Sequence, residues 1–307
     1  MIASMQGDKI YMKSKAGIRE EFYFYLFVIP WIIGFLIFTA YPILSSVFFS
    51  LSEYDGITPS KFVGTANYAA LFKDELFYKS ISTTFLYTAV SVPLTTLLSL
   101  LFALLLNSIV KLQNIFRTML YFPSMVSGAT MALLWTVIFR PSSGLIDSLL
   151  SVFGLKGPDW LINERTALLA IIIMSFWGVG GGMVIFLAGL KSVPAAYYEA
   201  AILDGAGSFK RFLHITMPLI SPVVLFQVIM VIIDSFQVFT PAYVMTHGGP
   251  HYATWFYVYY LYRSAFMDSN IGYSSAMGWL LLIFVSVVSF YVIKTSSRIV
   301  YYEGGKD

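Results

Sequence analysis

One acid stands alone in apolar surroundings. No other Asp, Glu, Lys or Arg occurs between Phe212 and Tyr262, yet Asp234 sits there. Its stretch, DSFQVFTPAY, adds Ser235, Gln237 and Thr240 among aromatic rings, with Pro241 as an interruption. Carboxylate, hydroxyl and amide groups beside ring faces suit the hydroxyls and apolar faces of a sugar. An ionisable group in such a run is costly and faces a cavity or a partner. The competing reading is a protonated or hydrogen-bonded Asp packed at a helix contact. A second unusual cluster is Gly178, Gly180, Gly181 and Gly182. Each such glycine costs a helix about 1 kcal/mol against Ala. The cluster either lets helices approach closely or opens room for a ligand beside an unwound turn. The sequence leaves both open.

No catalytic constellation accompanies these groups. The three histidines are His214, His247 and His251. GGP separates the last two, so they cannot share a helix face, and no third metal ligand is near. There is no cysteine, hence no disulfide, thiolate nucleophile or Cys-ligated metal. No G-x-x-x-x-G-K-[ST] or G-x-S-x-G occurs, and GVGGGM at 178–183 has no lysine to hold a phosphate. The sequence is that of a non-enzyme with no cofactor of its own.

The elements that carry these residues are membrane helices. The chain is 58% hydrophobic and 11% charged, and its mean hydropathy is +0.77. Soluble domains carry about 25% charged residues. A formal charge of +3, spread along the chain, is no footprint for nucleic acid. A helix crossing the hydrocarbon needs about 20 apolar residues. Uncharged runs predict an all-α polytopic bundle of six transmembrane helices, at 23–49, 81–106, 119–139, 167–190, 219–245 and 276–293. The first run is too long for a signal-peptide core and is expected to remain as an anchor. Twelve of the nineteen Lys and Arg fall inside if both termini are cytoplasmic, and the 108–118 loop holds Lys111 and Arg117 with no acid. The expected organisation is a cytoplasmic segment 1–21, a transmembrane domain 22–295 and a cytoplasmic tail 296–307. Outer loops fall at 51–79, 140–165 and 246–275.

The inner loop 191–218 is long, and it contains EAAILDGAGSFKRFLHITMP. Pro194 suits a first helical turn, AAYYEAAILD favours helix, and Gly205 and Gly207 end it. Ser208 is then expected to cap a second short helix, FKRFLHIT, with Pro218 and Pro222 marking the start of span five. An amphipathic helix resting on lipid headgroups is the alternative reading, but its polar and apolar residues do not separate cleanly on a wheel.

The spacing Glu199-Ala200-Ala201, three residues, Gly205, nine residues, then Ile215-Thr216-Met217-Pro218 resembles the E-A-A-x3-G-x9-I-x-L-P signature of bacterial ABC-importer permeases, with Met217 where Leu is usual. Tyr243 to Pro250, YVMTHGGP, is similar to the T-x-G-G-P segment of the maltose-type first permease subunit, and the resemblance extends over about 22–295. It implies a permease of the bacterial cytoplasmic membrane that imports a carbohydrate, an oligosaccharide above all. It also implies a second permease subunit, two ATPase subunits that bind ATP and Mg, an external solute-binding protein, and a lipid surround. Glu199, Ala200, Ala201, Asp204 and Gly205 would couple to the ATPase. By position, sugar contacts would fall near Gly178, Val179, Gly182, Asp234, Ser235, Gln237 and Val238. Glycerol phosphate and its diesters travel through similar permeases, but no cation lies within a predicted span here. An ion-coupled secondary transporter, with Asp234 as the coupling site, is the alternative class.

Overall fold

The computed structural model describes residues 15–108, 111–296 and 300–301. Residues 1–14 of the expected N-terminal segment, and 297–299 and 302–307 of the expected tail, lie outside the described residues. The described chain is mostly helical, since apolar backbone must satisfy its own hydrogen bonds inside lipid. Helix α1 (Lys15–Phe35), a π turn (Leu36–Ala40) and α2 (Tyr41–Ser50) carry the first apolar span, Tyr23–Ser50. Strands β1 (Ser52–Glu53) and β2 (Lys61–Phe62) pair antiparallel, Ser52 opposite Phe62, ahead of the short α3 (Ala66–Leu71). Helix α4 (Glu75–Ser108) has 34 residues, about 51 Å of helix.

The span expected at 119–139 is broken. Helix α5 (Gln113–Tyr121) and its 3-10 extension to Met125 meet α6 (Gly128–Ile138) at 96°. Pro123 and an extended Val126 stop the first helix, and the Ser127 hydroxyl caps the next by accepting from Thr130 N–H at 3.3 Å. After α7 (Leu145–Val152), α8 (Glu164–Ser175) and α9 (Gly180–Ser192) meet at 44° through a 3-10 turn at Phe176–Gly178.

The inner loop differs from its expected form. Helix α10 (Ala195–Leu203) forms as expected, but α11 (Ser208–Arg211) is no separate short helix. It continues through a π turn (Phe212–Thr216) into α12 (Met217–Phe236), so one apolar helix runs Ser208–Phe236. Gly207, not Ser208, is the residue before its first turn. Pro218 lacks an N–H and crowds the carbonyl four residues back, at His214. The π turn covers His214 and absorbs that conflict, so the helix continues instead of starting at the proline. Pro42 stands in the same relation to the π turn of the first span.

Span five also ends earlier than 245, at Phe236, with Gln237 leaving helical geometry at φ −103° and ψ 18°. A separate π turn (Ala242–Thr246) follows. The outer segment 246–275 then holds a further helix, α13 (Tyr257–Phe266), before α14 (Ile271–Ser296). Among the described residues, four helices are long and apolar enough to cross a membrane, and up to six if each bent pair is one span.

Helices α4, α9 and α12 form the centre. Toward the loop side, Leu106 of α4, Met183 and Phe186 of α9 and Ile220 of α12 are buried together. Toward the other end, Tyr87, Phe256, Tyr257 and Met277 anchor an aromatic cluster. In lipid such contacts hold by close packing, not by exclusion of water.

Candidate functional site

Between these two clusters lies a groove of about 410 Å³, walled by α4, the α8–α9 bend and α12. The bend supplies Ser175, Gly178, Val179, Gly181 and Gly182; α12 supplies Gln227, Asp234 and Ser235. Of the seven residues singled out for a substrate path, Gly178, Val179, Gly182, Asp234 and Ser235 line this groove. Gln237 lies beyond the end of α12 and faces a different groove, beside Leu281 and Val285 of α14. Val238 packs into the aromatic cluster. The Asp234 side chain is exposed in the groove and has no ion-pair partner among the described residues. The Ser235 hydroxyl is turned back to the Ile232 carbonyl at 2.8 Å.

The glycine cluster divides between the two roles its composition allows. A Cβ on Gly180 would run into the Leu120 carbonyl and come within 2.9 Å of Tyr121 Cα, so this glycine lets α9 touch the α5 backbone. A Cβ on Gly182 would press on the Gln227 amide and come within 2.7 Å of Ser99 Oγ. Gly178 and Gly181 have nothing within 4 Å of that position and open on the groove. The Ser99 hydroxyl donates to the Val179 carbonyl at 3.1 Å and ties α4 to the bend.

Sequence reasoning missed the α4 wall. Tyr87, Ser91, Thr95 and Ser99 all line the groove. They recur every four residues, which places them on one helix face. That polar stripe inside an apolar run was a legible signal. Gln227, in mid-span of α12, was another.

The loop residues lie at the other end of the same helices. Helix α10 contributes no buried residue. Glu199, Ala200, Asp204 and Gly205 are exposed and Ala201 is half-buried, while Ile202 and Leu203 present an exposed apolar edge. The helix ends in a Schellman turn: Ala206 N–H donates to the Ala201 carbonyl (2.8 Å) and Gly205 N–H to Ile202 (3.0 Å), with Gly205 at φ +76°. The Tyr198 and Thr216 hydroxyls, 3.0 Å apart, pin α10 to the root of α12.

At the far end, Thr246 of the THGGP segment hydrogen-bonds its Oγ1 with Thr254 Oγ1 (2.7 Å), which donates to the Gly249 carbonyl (2.7 Å). Tyr260 and Tyr273 both donate to Asp74, and Leu76 N–H donates to its other oxygen at 2.8 Å. Partial burial pushes the Asp74 carboxyl up, but these donors outweigh it and hold it below the usual carboxylate range. Burial and the Asp74 hydrogen bond push the Tyr260 hydroxyl up to about 12. His247 and His251 join no cluster of metal-ligating side chains among the described residues.

This architecture has known counterparts. A chain in the crystal structure of a bacterial ABC transporter involved in the import of the acidic polysaccharide alginate superposes with a TM-score of 0.81, covering 93% of this chain and 99% of that one at 23% identity. That likeness concerns the fold. The probable ABC transporter permease protein YesP of Bacillus subtilis (strain 168) is 39% identical over 302 residues, 96% of this chain and 97% of the relative. The arabinooligosaccharides transport system permease protein AraP of the same organism is 35% identical, over 92% of each chain. The trehalose/maltose transport system permease protein MalF of Thermococcus litoralis is 35% identical, over 92% of this chain and 95% of the relative. The family model for the binding-protein-dependent transport system inner membrane component matches residues 95–298. The chain therefore belongs to the family of inner membrane components of binding-protein-dependent transport systems.

Proposed function

We propose that this chain is the permease subunit of an ABC importer for an uncharged carbohydrate, an oligosaccharide, in the bacterial cytoplasmic membrane. One observation carries the reading: the helix Ser208–Phe236 joins the exposed α10 loop directly to Asp234 in the groove. Residues 208 to 234 are about 39 Å of continuous helix. The α9 wall ends at the other side of the same loop, so a push on α10 moves two walls of the groove together.

Each bent pair counts as one crossing, which makes six spans with both termini and the 191–218 loop inside, in line with the Lys and Arg bias. The membrane-embedded unit is 22–295. Glu199, Ala200, Ala201, Asp204 and Gly205 present α10 to a groove on one of two ATPase subunits, which bind ATP and Mg. Exposed Ile202 and Leu203 give that contact an apolar edge. A second permease subunit closes the open side of the path, and an external solute-binding protein delivers the sugar. Gly178, Val179, Gly182, Asp234 and Ser235 line its route. Among the described residues, one acid and no cation line the groove, which favours an uncharged sugar over phosphate esters or acidic polysaccharides.

The test is uptake into proteoliposomes holding the full complex with its receptor. Uptake of an uncharged oligosaccharide is expected to require ATP, to resist competition by glycerol phosphate, and to vanish in Glu199→Lys while the permeases still co-purify. Uptake by this chain alone on an ion gradient, or normal uptake in Glu199→Lys, would overturn the proposal.

A further inference from the structure

Deeper in the groove lie polar atoms that Asp234 does not account for. Gln227 precedes Asp234 by seven residues on α12, two turns or about 10 Å closer to the α10 loop. Its side chain is only 7% exposed, and its Oε1 has no hydrogen-bond partner among the described residues. Across Gly182 from it stands Ser99, 2% exposed on the facing α4. Both residues line the groove. Buried polar atoms are almost always paired, so the orphaned Gln227 oxygen on this groove points to a ligand that supplies its partner.

The surroundings keep that space open. Gly182 lies against both the Gln227 amide and Ser99, and any side chain there would displace them. Ser99 spends its proton on the Val179 carbonyl, which leaves its lone pairs free to accept. We propose that Gln227 and Ser99, both against Gly182, form a second hydroxyl-binding station on the path, which takes an uncharged polyhydroxylated ring. A sugar hydroxyl donates and accepts at once, so it can satisfy either end of an amide as well as a serine. No group of the station is charged, so an anionic ring would find no counter-charge there. The separation from Asp234 exceeds what one ring spans, so the two stations hold different rings of one oligosaccharide. This inference rests on the carbohydrate-import reading above.

The test uses the full complex with its receptor in proteoliposomes, and maltotriose and arabinotriose as probes. Gln227→Met keeps the unbranched shape and removes the amide; it is expected to lower the maximal uptake rate at least fivefold while the subunits still co-purify. Gly182→Ala is expected to lower it in the same way by displacing the amide. If Gln227→Met does not assemble, Gln227→Ala decides, with a loss of at least threefold expected. Uptake within twofold of the parental rate in an assembled variant overturns the station and leaves the carbohydrate reading standing. A parental complex that imports neither probe overturns both.

Discussion

Placing the same side chain at two neighbouring glycines of the coupling loop isolates the backbone requirement there. Gly205 and Gly207 are both exposed, and a Cβ at either meets nothing within 4 Å. They differ in backbone: Gly205 has φ +76°, and Gly207 has φ −66° and ψ 164°. Serine at 205 must enter the left-handed region, at a cost of about 1–2 kcal/mol. Serine at 207 takes an ordinary extended conformation ahead of a helix, where it is a favoured cap. No neighbouring atom adds a steric term at either site. The balance between the Schellman-capped loop and other endings of α10 then shifts by a factor of about 5–30 for Gly205→Ser and hardly at all for Gly207→Ser. Asparagine tolerates the left-handed region better, so Gly205→Asn falls between. ATP-driven uptake and ATP hydrolysis by the reconstituted complex read the outcome. Gly205→Ser is expected to lower uptake severalfold and uncouple it from hydrolysis, Gly205→Asn to lower it less, and Gly207→Ser to leave it unchanged. Equal losses at 205 and 207, or none at 205, would refute the view that the αL turn sets the coupling geometry.

Other perturbations follow from the packing. Gly180→Ala pushes α9 off the Leu120–Tyr121 backbone, so the assembled complex should melt at a lower temperature, whereas Gly178→Ala should not change its melting. Asp234→Leu should lower uptake with insertion intact; unchanged kinetics for the transported sugar would mean that the acid serves packing. Asp74→Asn removes the charge that accepts from Tyr260 and Tyr273, and hydrogen bonds to a charged group contribute about 1.5–3 kcal/mol each, so the outer end should loosen in hydrogen exchange near 260 and 273. Because the folded-state pKa of Asp74 lies below 3.8, its contribution is full above that value and lost as pH falls through the folded pKa. Exchange at 260 and 273 that stays the same from pH 7 down to acid unfolding would contradict this linkage.

Much of the molecule is legible in composition and spacing. Apolar runs must become helices in lipid because no other open structure satisfies their backbone there, and a Gly four residues past EAA reads as a helix stop because only Gly enters the αL region freely. The breaks were less visible. A proline in the sequence signals a start, a kink or a bulge equally well. At Pro218 a π turn let the helix continue, while around Pro123 the chain turned by 96°. Local residues do not choose between these outcomes, because the choice depends on whether neighbouring helices accept the displaced carbonyls.

The same division holds for the groove. Asp234, the glycine cluster and the coupling signature stand out in the sequence because each violates the surrounding composition. Whether a given glycine packs or opens depends on what lies across from it: the Leu120 backbone for Gly180, Gln227 and Ser99 for Gly182, nothing for Gly178 and Gly181. Those neighbours are 45 to 83 residues away along the chain. Tertiary structure alone could also show that the loop and the acid share one unbroken helix, since a helix transmits displacement along its axis only where its hydrogen bonds are continuous.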